Sequence, residues 1–361
     1  MTVPPDIPRQ RRQTRWRTLF FITFGALLIV AAMNLFCPLR GPDTAPTPVT
    51  PGAPATPAAP IDPLVTTPSP ATPQTAPEKA RPDAYALSFL LAASFYNTFA
   101  DNEEVARLAQ ETGIRKLAER LSAHVARNLV WNLDMRKEVY PGDELDLVFR
   151  VVPPEEQAKR ADTPDEIELL AMRYRSVKLA KEFRIYRFKA SDRQFPAYYN
   201  ADGTPVEKAL KRSPLKDWIQ ITSLLKDRRP RHDGIDFKAP VGTPVYAPWG
   251  GIVEKTNWKT RYNGYSLLAR LDTSPAVQMI LLHLDKVHLK PGQRFAAGDH
   301  IADVGNTGRS FGPHLHYQLQ HEARKIIDPI KYHGTVTAKL PAGDAGAFLK
   351  TVQEFDGWLA R

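Results

Sequence analysis

The 361-residue sequence contains a single cysteine, Cys37, which excludes an intramolecular disulfide. It also lacks the H-E-x-x-H signature of helical zinc proteases, because its His-Glu pair at 321–322 is followed by Ala-Arg-Lys. His321 is therefore predicted to be a solvated residue near a hairpin. No DNA- or RNA-binding motif accompanies the net charge of +10, so we expect no nucleic-acid partner. The positive charge instead favours attraction to an anionic membrane or an anionic cell wall.

The N-terminal 37 residues have the pattern of a membrane anchor. Residues 1–18 are polar and basic, and 19–37 form a mainly apolar run of 19 residues. At about 1.5 Å per residue this run spans roughly 28 Å, which is about one hydrocarbon core. The preceding arginines predict a cytoplasmic basic tail followed by one transmembrane helix. Two alternatives are a cleaved signal peptide, for which no A-x-A site follows, and a lipoprotein site at Cys37, which the bulky Phe36 disfavours.

A proline-rich segment follows the apolar run. Residues 38–82 contain 14 of the 33 prolines, mixed with alanine and threonine. Proline fixes φ and removes backbone donors, so no packed core is expected in this stretch. We predict a disordered, extended linker with a maximum reach near 140 Å at about 3.1 Å per residue. Such a linker would hold the rest of the chain away from the membrane.

The remaining length and a hydrophobic content of 43% allow further domains with at least one substantial core. Residues 83–205 are predicted to form a helical and mixed α/β accessory domain. Apolar residues recur at helical spacing between 83 and 130, starting with Leu87, Leu90 and Leu91, which predicts two or three amphipathic helices. From about 129 the period changes to that of strands, beginning with NLVWNLDM and continuing in ELDLVF, IELLAMRYRSV, AKEFRIYRFKA and the YYN stretch before Gly203. The polar segment PPEEQAKRADTPDE is predicted to be a loop.

The residue pattern of 206–340 predicts a mainly antiparallel β domain. With the mixed accessory domain, the predicted fold class of the chain is α+β overall. Gly and Pro separate short runs rich in Val, Ile, Leu and Tyr, such as GTPVYAPWGGIVEKT, YSLLARLD and VQMILLHLD. His288 and His300 fall beside turns and are predicted to be solvated. Residues 341–361 contain the pattern of a C-terminal helix, to which the sequence assigns no role.

Two short motifs in this β domain concentrate metal-binding residue types. They are H-x-x-x-D at 232–236 and H-x-H at 314–316. If each motif is a strand, the outer residues of each share one face, and Gly234 leaves room between His232 and Asp236. Two such strands side by side would bring three imidazoles and a carboxylate together, with His283 as a further candidate. This is a ligand set for a divalent metal, zinc above others, although surface or core histidines are the simpler alternative.

The stretches RHDGIDFKAPVGTPVYAPWGGIV, LLHLDKV and PGQRFAAGDHIADVGNTGRSFGPHLHYQLQ resemble the LytM/lysostaphin-type zinc metallopeptidases over roughly residues 213–333. The resemblance implies one zinc ion per chain, held by His232, Asp236 and His316. It implies catalytic roles for His283 and His314. The implied fold is an antiparallel β-sandwich of the duplicated hybrid motif type with the zinc in a groove. Leu281 stands where the family usually has tyrosine, which removes no reacting group.

A looser resemblance over roughly 85–215 is to Gram-negative cell-wall D,D-endopeptidases with an N-terminal accessory domain. It implies hydrolysis of peptide cross-links in peptidoglycan, at the D-alanyl–diaminopimelate bond. Together with the anchor, it predicts a single-pass protein of the inner membrane with its catalytic domain in the periplasm. The accessory domain would either lie over the groove and block it or bind the wall or a regulatory protein partner, and the sequence does not choose between these.

Three other functions compete with this interpretation. Some LytM-like proteins are non-catalytic activators of cell-wall amidases, but those have lost zinc ligands, whereas this sequence retains all three. A secreted glycyl-glycine endopeptidase is a second alternative, which the predicted anchor disfavours. A purely structural wall-tethering protein is the third.

Overall fold

The computed structural model describes residues 84–159, 166–227, 231–321 and 324–359. The predicted transmembrane helix and linker lie outside these residues. None of the helices within them is both long and apolar enough to cross a membrane. The strands are β1 (Ala84–Leu90), β2 (Glu144–Val151), β3 (Ile167–Ser176), β4 (Lys181–Phe188), β5 (Ala197–Asn200), β6 (Ala209–Leu210), β7 (Gln220–Ser223), β8 (Ile235–Lys238), β9 (Pro244–Tyr246), β10 (Gly251–Thr256), β11 (Tyr265–Leu271), β12 (Val277–Leu284), β13 (Lys286–Val287), β14 (Arg294–Phe295), β15 (His300–Asp303), β16 (His314–Gln320), β17 (Ile326–Ile327) and β18 (Thr335–Val336). The α-helices are α1 (Phe95–Ala100), α2 (Glu103–Thr112), α3 (Leu117–Leu129), α4 (Pro154–Lys159), α5 (Thr260–Asn263), α6 (Pro329–His333) and α7 (Ala345–Leu359).

Strands β1 to β5 form an antiparallel sheet in sequential order. Both faces of this sheet are covered. One face packs against α1, α2 and α3 through a core that joins Leu147 to Phe99 and Leu121. The other face packs against α7, where Val148 and Phe348 share a second core. Neighbouring positions 147 and 148 point to opposite faces of a strand, so burial of both requires cover on both sides.

Three predictions for this region were wrong. Residues Ala84–Leu90 form a strand and not a helix: Leu87 and Phe89 are buried and alternate with exposed positions, and Leu90, which completed the helical spacing, is 68% exposed. The NLVWNLDM stretch is not a strand: α3 runs through Leu129, and turns follow it. Part of the predicted polar loop forms α4, which begins at Pro154 with two glutamates in its first turn. The helices over α2 and α3 and the strands β2 to β5 are confirmed.

The C-terminal helix α7 belongs to the core of the five-stranded sheet, far along the chain from the strands that it covers. Phe348, Val352, Phe355 and Leu359 are its buried face. Asp356 accepts hydrogen bonds from the Tyr186 hydroxyl at 2.5 Å and from Arg184 at 3.1 Å, both on β4. The sequence predicted this helix but gave it no role. The structure shows that it closes the second face of the N-terminal sheet.

The residues between these two parts form an eight-stranded sheet and a three-stranded sheet. The order of the large sheet is β14-β10-β11-β12-β16-β8-β7, with β17 paired to β16, and its strand pairs are antiparallel. The small sheet has the order β13-β15-β9. Buried residues of both sheets, among them Val245, Leu281, Ala302 and Tyr317, share one hydrophobic core. The prediction of a mainly antiparallel β region is confirmed.

Strand β7 is the edge of the large sheet, and it lies next to the N-terminal region. The loop before β5 is tied to the segment before β7, because Arg193 pairs with Asp217 and donates to the Trp218 carbonyl oxygen at 2.9 Å. Trp131, which follows α3, packs against both hydrophobic cores. The N-terminal sheet and the large sheet are therefore joined at the strand that leads to the candidate site.

Candidate metal centre

Strands β8 and β16 place two of the predicted ligands side by side. Asp236 and His316 are directly opposite each other in the antiparallel pairing of these strands. His314 lies two residues before His316 and shares its face of β16, as the H-x-H spacing predicted. His232 is not on a strand, because β8 begins only at Ile235. The prediction that 232–236 is one continuous strand was therefore wrong, and His232 reaches the site from the loop that precedes β8.

The three predicted ligands converge on one point. The distance from His232 Nε2 to Asp236 Oδ1 is 2.9 Å, and the distance from His316 Nδ1 to the same oxygen is also 2.9 Å. The two imidazole nitrogens are 3.0 Å apart. In a tetrahedral zinc site, ligand atoms at about 2.0–2.1 Å from the ion are roughly 3.3 Å from one another. The observed triangle is close to one face of such a tetrahedron. All three residues are buried.

The outward hydrogen bonds of the two imidazoles test whether a cation fits this triangle. His232 Nδ1–H donates to the Leu224 carbonyl oxygen at 3.0 Å, and His316 Nε2–H points at Gln318 Oε1 at 3.4 Å. These contacts leave the inner nitrogens with their lone pairs facing each other and facing a carboxylate oxygen. Lone pairs at this separation repel each other unless a positive charge lies between them. The donor set therefore fits a bound divalent metal ion, with the outward contacts fixing each ring.

The Asp236 carboxylate supplies the negative charge of the cluster. Burial by itself would raise the pKa of Asp236, but the positive charge between the facing imidazole nitrogens of His232 and His316, a proton when no metal is bound, holds it well below its usual range. The carboxyl is therefore ionised at neutral pH, as a metal ligand must be.

Gly234 makes the close packing of the ligands possible. A Cβ at this position would come within 2.5 Å of the Tyr317 carbonyl oxygen and 2.9 Å of His316 Cε1. The prediction that Gly234 leaves room is confirmed, but the space is filled by the ring of His316 and not by a neighbour on the same strand.

The two other predicted histidines lie beside the triangle. His314 Nδ1–H donates to the Gly312 carbonyl oxygen at 2.8 Å, which leaves His314 Nε2 on the side of the cluster, 3.9 Å from Asp236 Oδ1. The rings of His283 and His314 have their centroids 4.8 Å apart. The structure thus brings all five residues singled out in the sequence into one cluster.

His283 has an unusual backbone conformation. Its φ is +63°, a region in which histidine is more common than most residues with a side chain. The pairing of β11 with β12 shifts register here, since Tyr265 is opposite Leu284 whereas Leu267 is opposite Leu281. An extra residue of this kind redirects a side chain, and strained positions cluster at functional sites.

Hydrogen bonding and burial define the protonation state of His283. Its Nδ1–H donates to the Thr307 carbonyl oxygen at 2.9 Å, so Nε2 carries the lone pair. Desolvation lowers the pKa of His283 to about 4, and the adjacent histidines His314 and His316 act in the same direction. His283 is therefore neutral at pH 7 and can accept a proton.

Several groups of this site carried little signal in the sequence. The carbonyl oxygens of Leu224 and Thr307 orient His232 and His283, and a backbone carbonyl has no residue signature. For Gly305 the sequence indicated only a turn, through the G-N-T-G stretch at 305–308. A Cβ at Gly305 would collide with the backbone of Leu284 and Asp285, so only glycine allows this loop to approach the end of β12 so closely.

Residues 230–329 match the family described as Peptidase family M23. This segment contains every residue of the cluster, and the chain therefore carries a Peptidase family M23 domain. The chain is 32% identical over 172 residues to the peptidoglycan DD-endopeptidase ShyA of Vibrio cholerae, an alignment that covers 45% of this chain and 39% of ShyA. It is 30% identical over 243 residues to the peptidoglycan DD-endopeptidase ShyB of the same organism, which covers 65% of this chain and 53% of ShyB. The chain thus spans about half or less of the length of these relatives.

One solved structure, described as a zinc-containing peptidase from Vibrio cholerae, aligns with 72% of this chain and 71% of its own. The sequence identity is 26% and the TM-score is 0.31.

Proposed function

We propose that this protein is a zinc-dependent endopeptidase that hydrolyses peptide cross-links of peptidoglycan. The observation that carries the proposal is the triangle of His232, Asp236 and His316, whose ligand atoms lie within 3.0 Å of one another with their lone pairs inward. Three protein ligands are the number found in catalytic zinc sites, which keep a position open for water or substrate. The relatives named as peptidoglycan DD-endopeptidases support the substrate class.

Zinc in this position would lower the pKa of a bound water to about 7 and polarise the scissile carbonyl. The residues of the chain supply the rest of the chemistry. His232, Asp236 and His316 would hold the ion. His283 is neutral at pH 7, so its Nε2 can accept a hydrogen bond or a proton beside the ion.

His314 has a complementary position. Its Nδ1–H is engaged by the Gly312 carbonyl oxygen, and its Nε2 lies beside the ligand triangle. From there it can return a proton to the leaving amine or, when protonated, donate a hydrogen bond to the oxyanion. The two helper histidines thus provide two sites for proton transfer next to the ion, each fixed in orientation by a backbone carbonyl.

The bond that we propose is the D-alanyl–diaminopimelate cross-link. The similarity to the peptidoglycan DD-endopeptidases ShyA and ShyB supports cleavage of a D,D cross-link. We further propose that residues 19–37 anchor the protein in the inner membrane and that the peptidase domain lies in the periplasm, in reach of this substrate. The basic residues before the apolar run and the proline-rich segment after it support this location.

Digestion of purified peptidoglycan sacculi tests the function. Residues 83–361 contain all residues that the structure describes and are the part to be purified, loaded with zinc and incubated with sacculi. We expect dimeric muropeptides to disappear and monomers with a free diaminopimelate amine to accumulate, as measured by mass spectrometry. Asp236→Asn is the matched control, because it keeps the size of the side chain but removes the charge.

The same experiment separates the competing functions. When sacculi with glycine bridges are digested in parallel, cleavage of those bridges only would indicate a glycyl-glycine endopeptidase in place of the proposed activity. Intact cross-links, together with faster hydrolysis by an added cell-wall amidase, would replace the enzyme with an amidase activator. Intact cross-links without that effect would leave a wall-tethering role.

A further inference from the structure

A second group of metal-binding side chains lies on the three-stranded sheet, outside the buried cluster. It consists of His288, which follows β13, and of His300 and Asp303, the first and last residues of β15. His288 Nε2 is 2.9 Å from Asp303 Oδ2, and His300 Nε2 is 2.6 Å from Asp303 Oδ1. The sequence predicted His288 and His300 as separate solvated residues. The structure instead brings both to one carboxylate, and the proposed peptidase chemistry uses none of the three.

A β-bulge creates this arrangement. In a regular strand, residues 300 and 303 would point to opposite faces. On β15, however, His300 pairs with Tyr246 and Ala302 pairs with Val245, so two steps along β15 correspond to one step along β9. Ile301 is the extra residue, and both Ile301 and Ala302 are buried. The bulge therefore brings His300 and Asp303 to the same side, which is the kind of redirection for which bulges are used near functional sites.

The neighbouring strand completes the group. The backbone N–H of His288 donates to the Ile301 carbonyl oxygen at 3.0 Å, so the bulged residue itself fixes the position of His288. The rings of His288 and His300 have centroids 4.4 Å apart and approach edge to face. Two segments of chain outside the buried cluster thus converge through backbone contacts and not through chance rotamers of exposed side chains.

The donor atoms of this group match the preferences of one class of ion. One nitrogen from each imidazole and one carboxylate oxygen all lie within 4.8 Å of one another. This is the same donor set as in the buried cluster, and nitrogen and oxygen donors of this kind suit zinc and its neighbours in the first transition series. Because the His300 side chain is 42% exposed, water can occupy the remaining coordination positions.

We propose that His288, His300 and Asp303 form a second binding site for a divalent transition metal ion of the zinc class. The ion would join β13 to β15. Binding at this site does not depend on whether the buried cluster hydrolyses peptidoglycan, so the two proposals can fail separately.

The connections of these strands suggest what the ion would stabilise. His283 lies three residues before β13, and Thr307, whose carbonyl orients it, lies four residues after β15. The Asp285 N–H already donates to the Asp303 carbonyl oxygen at 3.0 Å. A bound ion would add a second cross-link at the base of the two segments that hold His283 in its orientation.

Counting bound zinc in the full chain tests the proposal. The metal-free protein is equilibrated with excess zinc, and the bound ions per chain are measured by equilibrium dialysis with elemental analysis. We expect two ions in the unchanged protein and one in each of His300→Ala, Asp303→Asn and His232→Ala. The double variant His232→Ala/His300→Ala should bind none, and His321→Ala is the matched control that should retain two.

Two results would overturn the second site. One is a single ion in the unchanged protein, and the other is two ions in both His300→Ala and Asp303→Asn. Circular dichroism establishes that each variant is folded. If a variant of the second site is unfolded, His288→Gln replaces it, because this substitution changes the size of the side chain least. Loss of the second ion with full retention of the first would support the second site even if no peptidoglycan is hydrolysed.

Discussion

The two clusters of the β domain contain the same three donor types, two imidazoles and one carboxylate, in different surroundings. In the buried cluster each ligand imidazole has its outer nitrogen directed at a fixed oxygen, and two further histidines lie beside the ligands. In the second group both imidazoles contact one carboxylate near the surface. If the proposed second site binds an ion, donor type and spacing suffice for binding, whereas hydrolysis also needs burial and additional groups that transfer protons. We therefore expect hydrolysis only at the buried cluster.

The largest expected effect is the loss of a buried ligand. His232→Ala or Asp236→Ala removes one of three ligands and should release the buried ion. The lost stabilisation of the transition state is several kcal/mol, which corresponds to a fall in sacculus hydrolysis of about 10³-fold or more. Activity is measured after chelation and return of zinc, and His321→Ala is the control. Activity like that of the unchanged protein in either variant would contradict the ligand assignment.

The helper histidines should separate binding from chemistry within the buried cluster. His283→Ala and His314→Ala should keep the buried ion but lose turnover by about 10²- to 10⁴-fold, the usual contribution of general acid–base catalysis. Zinc content and turnover are measured on the same samples, with His316→Ala as the variant that should lose both. If His314→Ala released as much zinc as His316→Ala, the roles of the two residues in H-x-H would have to be exchanged.

A smaller effect is expected when the space for the ligands is reduced. Gly234→Ala would place a methyl group against the Tyr317 carbonyl oxygen and the ring of His316. We expect a displaced His316 and a metal affinity about 10- to 100-fold weaker, the range found when groups that orient a ligand are changed. Gly346→Ala in α7, where a Cβ meets nothing within 4 Å, is the matched control. Unchanged affinity in Gly234→Ala would show that His316 does not need this space.

The smallest expected effect is on how the unfolding free energy depends on pH, measured in the presence of a chelator so that no metal is bound. The folded protein keeps His283 neutral down to a pKa of about 4, whereas the unfolded chain protonates it below about 6.5. The unfolded state therefore binds more protons in this window. The contribution of His283 is fully present above pH 6.5 and falls toward pH 4, by at most about 1.4 kcal/mol per pH unit.

Replacement of His283 by a residue that does not titrate measures this contribution. His283→Asn suits the test because asparagine also tolerates a positive φ. The difference in unfolding free energy between the unchanged protein and the variant should decrease as the pH falls from 7 to 4.5, as measured by denaturant titration. His321→Asn is the control, and a difference that does not change with pH would mean that His283 is accessible to protons in the folded state.

Much of the candidate site could be predicted from the sequence because its ligands lie at strand spacing. The H-x-H motif and Asp236 follow the period of two, and the antiparallel pairing of β8 with β16 brings them together. The position of His232 could not be predicted in the same way, because the strand begins only at Ile235 and the imidazole approaches from a loop. The second group was missed for a related reason: the bulge at Ile301 changes the period of the strand, and the effect of a bulge depends on the partner strand.

The errors in the fold have a physical cause of the same kind. The helical spacing of apolar residues near β1 comes from Leu90, which is exposed, whereas the two faces of the sheet have separate helical covers. One of these covers is α7, which follows the whole peptidase segment in the chain. A local pattern cannot reveal that a strand near residue 87 is buried by a helix near residue 350.

The return of α7 to the N-terminal sheet has a consequence for synthesis on the ribosome. Residues 201–344 must be translated after β5 before the helix that covers Val148 and Tyr186 exists. At about 5–20 residues per second this interval lasts roughly 7–30 s. During that time the apolar face of the nascent sheet is uncovered while the peptidase segment emerges and folds. The second face of the first sheet is therefore covered last. A nascent chain arrested before Ala345 would present that face to chaperones.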